Sequence, residues 1–187
     1  HLLQLSGIGP AALLKAHGIE VRHDLAHVGQ GLQDHLAVSC QFRARVPTLN
    51  NMLGSPSGRL RAALRYALTR KGALSVPVNQ VGGFVRSTPQ QAVPDVQLFC
   101  NPASYEINRA GRVVLDRQPG YLLSAQPCRP TSRGHVRIAS GSWRDAPVIQ
   151  PNSLATDDDL DAAVRASKVI RTLARSPQLQ TVTEFAK

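Results

Sequence analysis

The chain has 187 residues, 42% of them hydrophobic and 18% charged. That is enough apolar material to bury a core without disulfides or a structural metal, and it excludes wholesale disorder. No run of uncharged apolar residues is long enough for a membrane-crossing helix. The formal charge is +10, with 22 basic residues against 12 acidic, and aromatic residues make up only 4%. So few rings work against a protein that binds bases by stacking.

The opening His1-Leu2-Leu3-Gln4-Leu5 is apolar and abrupt, as the interior of a longer chain would be, and no secretory leader pattern follows. Ser6-Gly7-Ile8-Gly9-Pro10 reads as a tight turn. Pro10 suits the start of a short helix over 11–17, which Gly18 ends. Ile19-Glu20-Val21 alternates as a brief strand, and residues 28–35, with Gly29 and Gly31, read as a loop. From Leu36 the pattern changes. Leu36, Val38, Cys40, Phe42, Ala44 and Val46 fall on one face of a strand, and Ser39, Gln41, Arg43 and Arg45 on the other.

Residues 47–57 carry Asn50, Asn51, Gly54 and Pro56 and read as a loop. Ser57 then caps a helix over 57–71 with apolar positions Leu60, Ala63, Leu64, Ala67 and Leu68. Further strands are expected over 81–86, 96–100, 121–125, 135–139 and 148–150, separated by prolines. Thr156 caps a last helix over 157–175. Asp157, Asp158 and Asp159 sit at its positive end, and Pro177 stops it. Short connections between consecutive strands favour antiparallel pairing. The expected class is therefore α+β: an antiparallel five- to six-stranded sheet with the two long helices packed on one face.

The thiols Cys40, Cys100 and Cys128 are far apart and odd in number, which suits a reduced, intracellular protein. No C-x-x-C pair marks a zinc site, and His23 and His27 read as solvated loop histidines, so no metal is expected. Residues 43–144 hold 15 basic and 3 acidic side chains. They are scattered, with no basic run and no interleaved rings, so a specific nucleic-acid partner is not expected. A solvated arginine-rich face, or one that meets another surface, is the plainer reading. No G-x-S-x-G, P-loop or G-x-G-x-x-G occurs.

An ordered series of segments resembles one family. Leu2 to Pro10 (LLQLSGIGP) resembles the end of the second signature of the glucose–methanol–choline (GMC) flavoprotein oxidoreductases. His17-Gly18-Ile19, Val28-Gly29 and Leu32-Gln33-Asp34-His35 resemble that family's "HGI…VG.NLQDH" stretch, with Gly31 in place of the usual Asn. Gly82-Gly83-Phe84, Pro94-Asp95-Val96-Gln97, the Pro130 to Val136 stretch and Pro147-Val148-Ile149 continue in step with it. The choline- and alcohol-dehydrogenase-like bacterial members are the nearest branch.

The resemblance implies an alcohol-oxidising flavoenzyme in which a histidine takes the hydroxyl proton and hydride passes to the flavin. It also implies a Rossmann-type FAD domain and a substrate domain built on a six-stranded antiparallel sheet. Residues 1–35 would be a remnant of the FAD side, and 36–187 an incomplete substrate domain. The family's catalytic-histidine region and its N-terminal glycine motif have no counterpart here. FAD is therefore expected in the parent enzyme but not on this chain alone, which should be inactive and hold no catalytic residue.

Asp34 and His35, in the LQDH motif, either lie near the flavin or lock an interdomain loop. Gln80 stands where many members have a Glu that faces a cationic substrate, which argues against choline itself. Gln97 and Phe99 share a strand face and either line the substrate cavity or pack on the FAD domain. The implied partners are a small alcohol and the FAD domain of the same chain. Self-association through an uncovered sheet face is also expected, in a bacterial cytoplasm. The rival reading is a stand-alone basic α+β module that binds an acidic protein or nucleic acid.

Overall fold

The computed structural model describes residues 1–77 and 79–186. The chain begins with α1 (Leu2–Leu5), β1 (Ile8–Gly9), α2 (Ala11–Ala16), β2 (His23–Asp24) and β3 (Gln30–Leu32). It continues through β4 (Val38–Ala44), α3 (Leu49–Leu53), α4 (Pro56–Thr69), a 3-10 turn (Ala73–Ser75), β5 (Val81–Val85) and β6 (Val96–Asn101). Then come β7 (Tyr105–Ile107), β8 (Val113–Leu115), β9 (Gly120–Pro127), β10 (Gly134–Arg137) and β11 (Val148–Gln150). The chain closes with α5 (Asp157–Ala174), α6 (Pro177–Gln180) and β12 (Thr183–Ala186).

Two compact units result. One gathers His1–Leu36 with Arg129–Asp161, the other Ala37–Cys128 with Ala162–Lys187. These units do not follow a single cut at residue 35, because residues 129–161 join the opening segment.

The second unit is built on an antiparallel sheet of order β12-β4-β9-β6-β5. The alternation read at Leu36 to Val46 is realised in β4: Val38, Cys40, Phe42 and Ala44 all join the core. Strand β9 is central, and every residue from Gly120 to Ala125 is buried. The core face combines Phe42 and Ala44 with Tyr121, Leu123, Ala125 and Val96, under Ala166, Ile170 and Ala174 of α5. Four of those helix and strand positions, Ala44, Ala125, Ala166 and Ala174, are alanines, so the α5 backbone lies close to the sheet. Phe42 and Tyr121, directly opposite in register, stack with centroids 5.1 Å apart. The Tyr121 hydroxyl meets Thr183 Oγ1 at 2.7 Å, and Thr183 donates to the Leu179 carbonyl at 2.6 Å, which ties β12 to the core.

Helix α4 does not join this layer. It forms as expected but with its cap two residues earlier than read, because Ser55 rather than Ser57 accepts the Gly58 N–H and Pro56 takes the first position. It buries none of its residues, however, and Leu60, Leu64 and Leu68 are exposed. Residues 47–57 are not all loop either, since α3 forms there. Asn50 at its start is 1% exposed. Its Nδ2 donates to the carbonyls of Ser104 (2.7 Å) and Asp116 (3.0 Å), and its Oδ1 accepts the Ser104 N–H at 3.0 Å. One side chain thus holds both ends of the β7–β8 hairpin, which alternation alone does not reveal.

In the first unit the order β11-β10-β3 forms a small antiparallel sheet. The expected loop over 28–35 contains β3, and the expected strand over 19–21 is displaced to β2, which pairs in parallel with β1. Gln4 is fully buried and stitches this unit. It donates to the carbonyls of Val28 (3.1 Å) and Val136 (3.2 Å) and accepts the Ile138 N–H (2.9 Å). Gly29, at φ +86°, leaves the room this needs, because a Cβ there would strike Val136 O and Gln4 Nε2.

Asp159 has more work than loading the helix dipole. Its Oδ1 accepts the Thr131 N–H (2.7 Å) and hydroxyl (2.9 Å), and its Oδ2 accepts the Ser132 N–H (2.8 Å). Burial alone would raise its pKa. The hydrogen bonds from Ser132 and Thr131 outweigh that and hold the carboxyl well below the usual carboxylate range. A depressed folded pKa means the stabilisation is present above the unfolded value, near ~4, and is lost as pH falls through the folded one. Asp159→Asn is therefore expected to cost about 1.5–3 kcal/mol at pH 7. In urea melts the gap to the parent chain should narrow below about pH 4; a gap independent of pH would contradict this role.

Candidate functional site

The five-stranded sheet has a second face, on the opposite side from Phe42, Leu123 and α5. Alternation puts Ser39 and Gln41 of β4 there, with Ser124 and Gln126 of β9 and Gln97 and Phe99 of β6. The register sets Phe99 opposite Ser124, Gln97 opposite Gln126 and Ser39 opposite Ser124. On the other side of β6, Gly82 and Phe84 of β5 lie opposite Phe99 and Gln97. Gln80 immediately precedes β5, its N–H donates to Cys100 O at 3.1 Å, and alternation assigns it to this same face. The three residues singled out as pocket candidates, Gln80, Gln97 and Phe99, therefore share one surface.

The polar groups of this face satisfy one another across strands. Gln126 Nε2 donates to Gln97 Oε1 at 2.9 Å, and the Ser39 and Ser124 hydroxyls meet at 2.7 Å. Gln97 meets Gln126 through its oxygen, which leaves its own amide nitrogen outside that pair. Gln41 is used differently. It donates to Tyr105 O (2.8 Å) and accepts the Tyr105 N–H (3.2 Å), which pins β7 beside β4. Phe99 is half-buried and Phe84 exposed. A Cβ on Gly82 would approach Leu98 O to 2.9 Å and the Phe99 ring edge to 3.7 Å, so the glycine leaves that ring edge uncovered. Arg43 shares the parity of Ser39 and Gln41 at the far end of β4; the part of the face around Gln97 and Phe99 is uncharged, polar and aromatic, suited to a small hydroxylated molecule with a carbon skeleton.

Ser39, Ser124 and Gln126 were not singled out in the sequence. The signal for them was the off-core parity of their strands, which also placed Gln97. A cavity of about 740 Å³ lies elsewhere in the unit, around Ser39 to Phe42, Glu106, Arg171, Arg175, Gln180 and Glu184. It includes residues of both faces of β4 and lies where the described pairing of β4 with β12 stops at Phe42. It is a strand-edge groove rather than a pocket over Gln97 and Phe99.

Asp34 and His35 belong to the first unit. Both are exposed, and Asp34 Oδ1 accepts the N–H of His35 at 2.9 Å, a local loop lock. The adjacent Gln33 donates to Pro130 O at 2.9 Å. Asp34→Ala is expected to change stability by no more than about 1 kcal/mol in urea melts; a larger loss would give the carboxylate a partner beyond its own loop.

The glycine turn at the start of the chain does not fit the pyrophosphate of a dinucleotide. The turn at Ser6 to Pro10 leads into α2, a helix of six residues whose first N–H, on Ala11, is already taken by Asp24 Oδ1 at 2.9 Å. Strand β1 before it has two residues. No group of three or more potential metal ligands occurs among the described residues. All six histidines fall within the first unit, so the sheet face draws none from its own unit.

Comparison with known proteins places these features. Residues 130–187 match the family model described as GMC oxidoreductase. The chain is 35% identical over 180 residues to an alcohol dehydrogenase [acceptor] of Pseudomonas putida, a match covering 95% of this chain and 32% of that protein. It is 37% identical over 159 residues to an oxygen-dependent choline dehydrogenase of Photobacterium profundum, covering 84% and 27%. Among solved structures, a formate oxidase of Aspergillus oryzae, studied for its FAD modification, superposes with a TM-score of 0.84. It is 22% identical and covers 99% of this chain and 37% of that one. The chain thus spans about a third of the length of the relatives it matches.

Proposed function

Because the chain belongs to the GMC oxidoreductase family, we propose that it is the substrate-side portion of a flavoenzyme that oxidises an alcohol. The observation that carries this reading is 35% identity over 95% of the chain to an alcohol dehydrogenase. We assign the five-stranded unit to the substrate side and the unit of residues 1–36 and 129–161 to the FAD side. FAD, held by the rest of the whole protein, supplies the hydride acceptor when bound.

This chain's own part is to hold the alcohol. Phe99 and Phe84 offer aromatic surface to its carbon skeleton, and the Gln97 amide offers a hydrogen bond. The sheet beneath excludes water, because β9 is buried along most of its length. The proton-accepting base comes from outside the five-stranded unit, which contains no histidine. Cys40, Cys100 and Cys128 form no disulfide with one another, which suits a reducing, cytoplasmic setting.

Two measurements test this reading. The first uses the 187-residue chain incubated with excess FAD and gel-filtered. No flavin should co-elute, and no alcohol should reduce a dye, whereas the intact enzyme does both. Stoichiometric flavin on the isolated chain would overturn the portion reading.

The second concerns the substrate. The neutral Gln80 gives a cation no Coulombic support, while a carboxylate about 4–5 Å from a cation contributes about 3–4 kcal/mol at an effective dielectric near 20. The intact enzyme is therefore expected to prefer uncharged alcohols. Gln80→Glu should raise the kcat/KM ratio of choline to a neutral alcohol by about tenfold or more. A wild-type enzyme that already prefers choline would sink the assignment of Gln80.

A further inference from the structure

Helix α4 presents an arrangement that the alcohol-oxidising reading leaves unused. Leu60, Leu64 and Leu68 recur every four residues and are 62%, 55% and 83% exposed. On a helical projection Ala63 and Ala67 extend the same stripe. Arg61 and Arg65 border it on one side and Arg59 on the other. The half-buried Gly58, Ala62 and Tyr66 lie on the opposite side, toward the protein. The apolar stripe therefore points away from the fold, with an arginine margin along both edges. Met52 on α3 and Leu74 in the 3-10 turn, both on elements packed against α4, are exposed as well.

The chain segment that carries this helix is one-sided in charge. Residues 43–94 hold eight basic side chains and no acidic one. Coulombic complementarity therefore calls for an anionic occupant, and the leucine row calls for an apolar layer directly beneath that charge. A lipid bilayer with anionic headgroups offers both in that order. Arginines at the margins of the stripe can keep their guanidinium groups among headgroup phosphates while their alkyl stems lie along the acyl boundary. A nucleic acid matches the charge but offers nothing to three adjacent leucines. No helix among the described residues is long and apolar enough to cross a membrane, so the contact is one of lying on the surface.

We propose that α4 is an interfacial helix that docks this protein on an anionic bilayer surface, leucines inward and arginines at headgroup level. The proposal stands independently of the alcohol-oxidising reading, because neither the lipid nor the helix enters that chemistry.

The test uses the intact polypeptide and sedimentation with large unilamellar vesicles. Vesicles of phosphatidylcholine with phosphatidylglycerol should bind it at least about tenfold more tightly than phosphatidylcholine alone, and the difference should shrink with salt. The double variant Leu64→Glu, Leu68→Glu should lose about tenfold or more of that binding. The triple variant Arg59→Gln, Arg61→Gln, Arg65→Gln should lose the preference for anionic lipid. The melting temperature should stay within about 2 °C in both, because the altered side chains are exposed.

Several outcomes would overturn the proposal: no vesicle binding by the wild type, equal binding to both compositions, or variants that bind like the wild type. A melting temperature lowered by more than about 5 °C in the leucine variant would show that the stripe is covered by protein in the intact molecule. Loss of self-association in that variant, without any vesicle effect, would assign the stripe to a second copy. Enzyme activity in buffer is unaffected by any of these arms, so failure here and failure of the flavoenzyme reading are distinguishable.

Discussion

The two-residue period of the antiparallel sheet is the constraint on which the second unit depends. Side chains on β4, β9, β6 and β5 have only two directions available, and the register locks the strands together. Once Phe42, Tyr121, Leu123 and Val96 are committed to the core under α5, their neighbours in sequence are committed to the other face. Gln97 and Phe99 reach the candidate site for that reason. So do Ser39 and Ser124, whose hydroxyls meet because their strands are in register. A slip of one residue in β6 would carry Val96 and Leu98 out of the core and Gln97 into it. Burial of Val96, at 1% exposed, opposes that slip as strongly as any hydrogen bond.

Much of this was legible without coordinates, because hydrophobic periodicity reports which face is buried. The strands over 96–101, 120–127 and 148–150, and the two long helices, follow from alternation, capping residues and proline punctuation. What periodicity cannot report is a single buried polar side chain that organises distant backbone. Asn50 reads as a turn residue and Gln4 as a polar interruption in an apolar run. Each is buried and satisfies three or more backbone or hydroxyl partners far away in sequence. Asp159 is the same case: its place at a helix start was legible, but its three bonds to Thr131 and Ser132 were not. Burying such groups is tolerable only because every donor and acceptor finds a partner.

Helix α4 shows the opposite failure. Its apolar repeat is sound, and the ordinary inference is that such a stripe faces the core. Here the inner side of the helix is made of Gly58, Ala62 and Tyr66, and the leucines point outward. Period alone fixes that residues share a face, and only packing decides which way that face is turned. The arginines on both margins carried the hint. A stripe that seats in a protein core is seldom bordered by guanidinium groups on each side, since they would lose their water without gaining an anion.

Cross-strand pairing also explains how the candidate face can be polar and still serve a ligand with a carbon skeleton. An isolated glutamine on a sheet keeps its water until something replaces it, and displacing that water costs about as much as the new contact returns. Gln97 and Gln126 share one hydrogen bond between them, and Ser39 and Ser124 share another. Part of the polar surface is thereby neutralised before any ligand arrives, which lowers the cost of drying the face around Phe99. The Gln97 amide nitrogen lies outside the pair with Gln126 and is the donor to which the proposed function gives the substrate hydroxyl. A charged pair at the same positions would be far more expensive to desolvate, and a wholly apolar set would have nothing to choose an alcohol over a hydrocarbon. The uncharged, half-satisfied character of the face around Gln97 and Phe99 is therefore the property on which the proposed preference for a neutral alcohol rests.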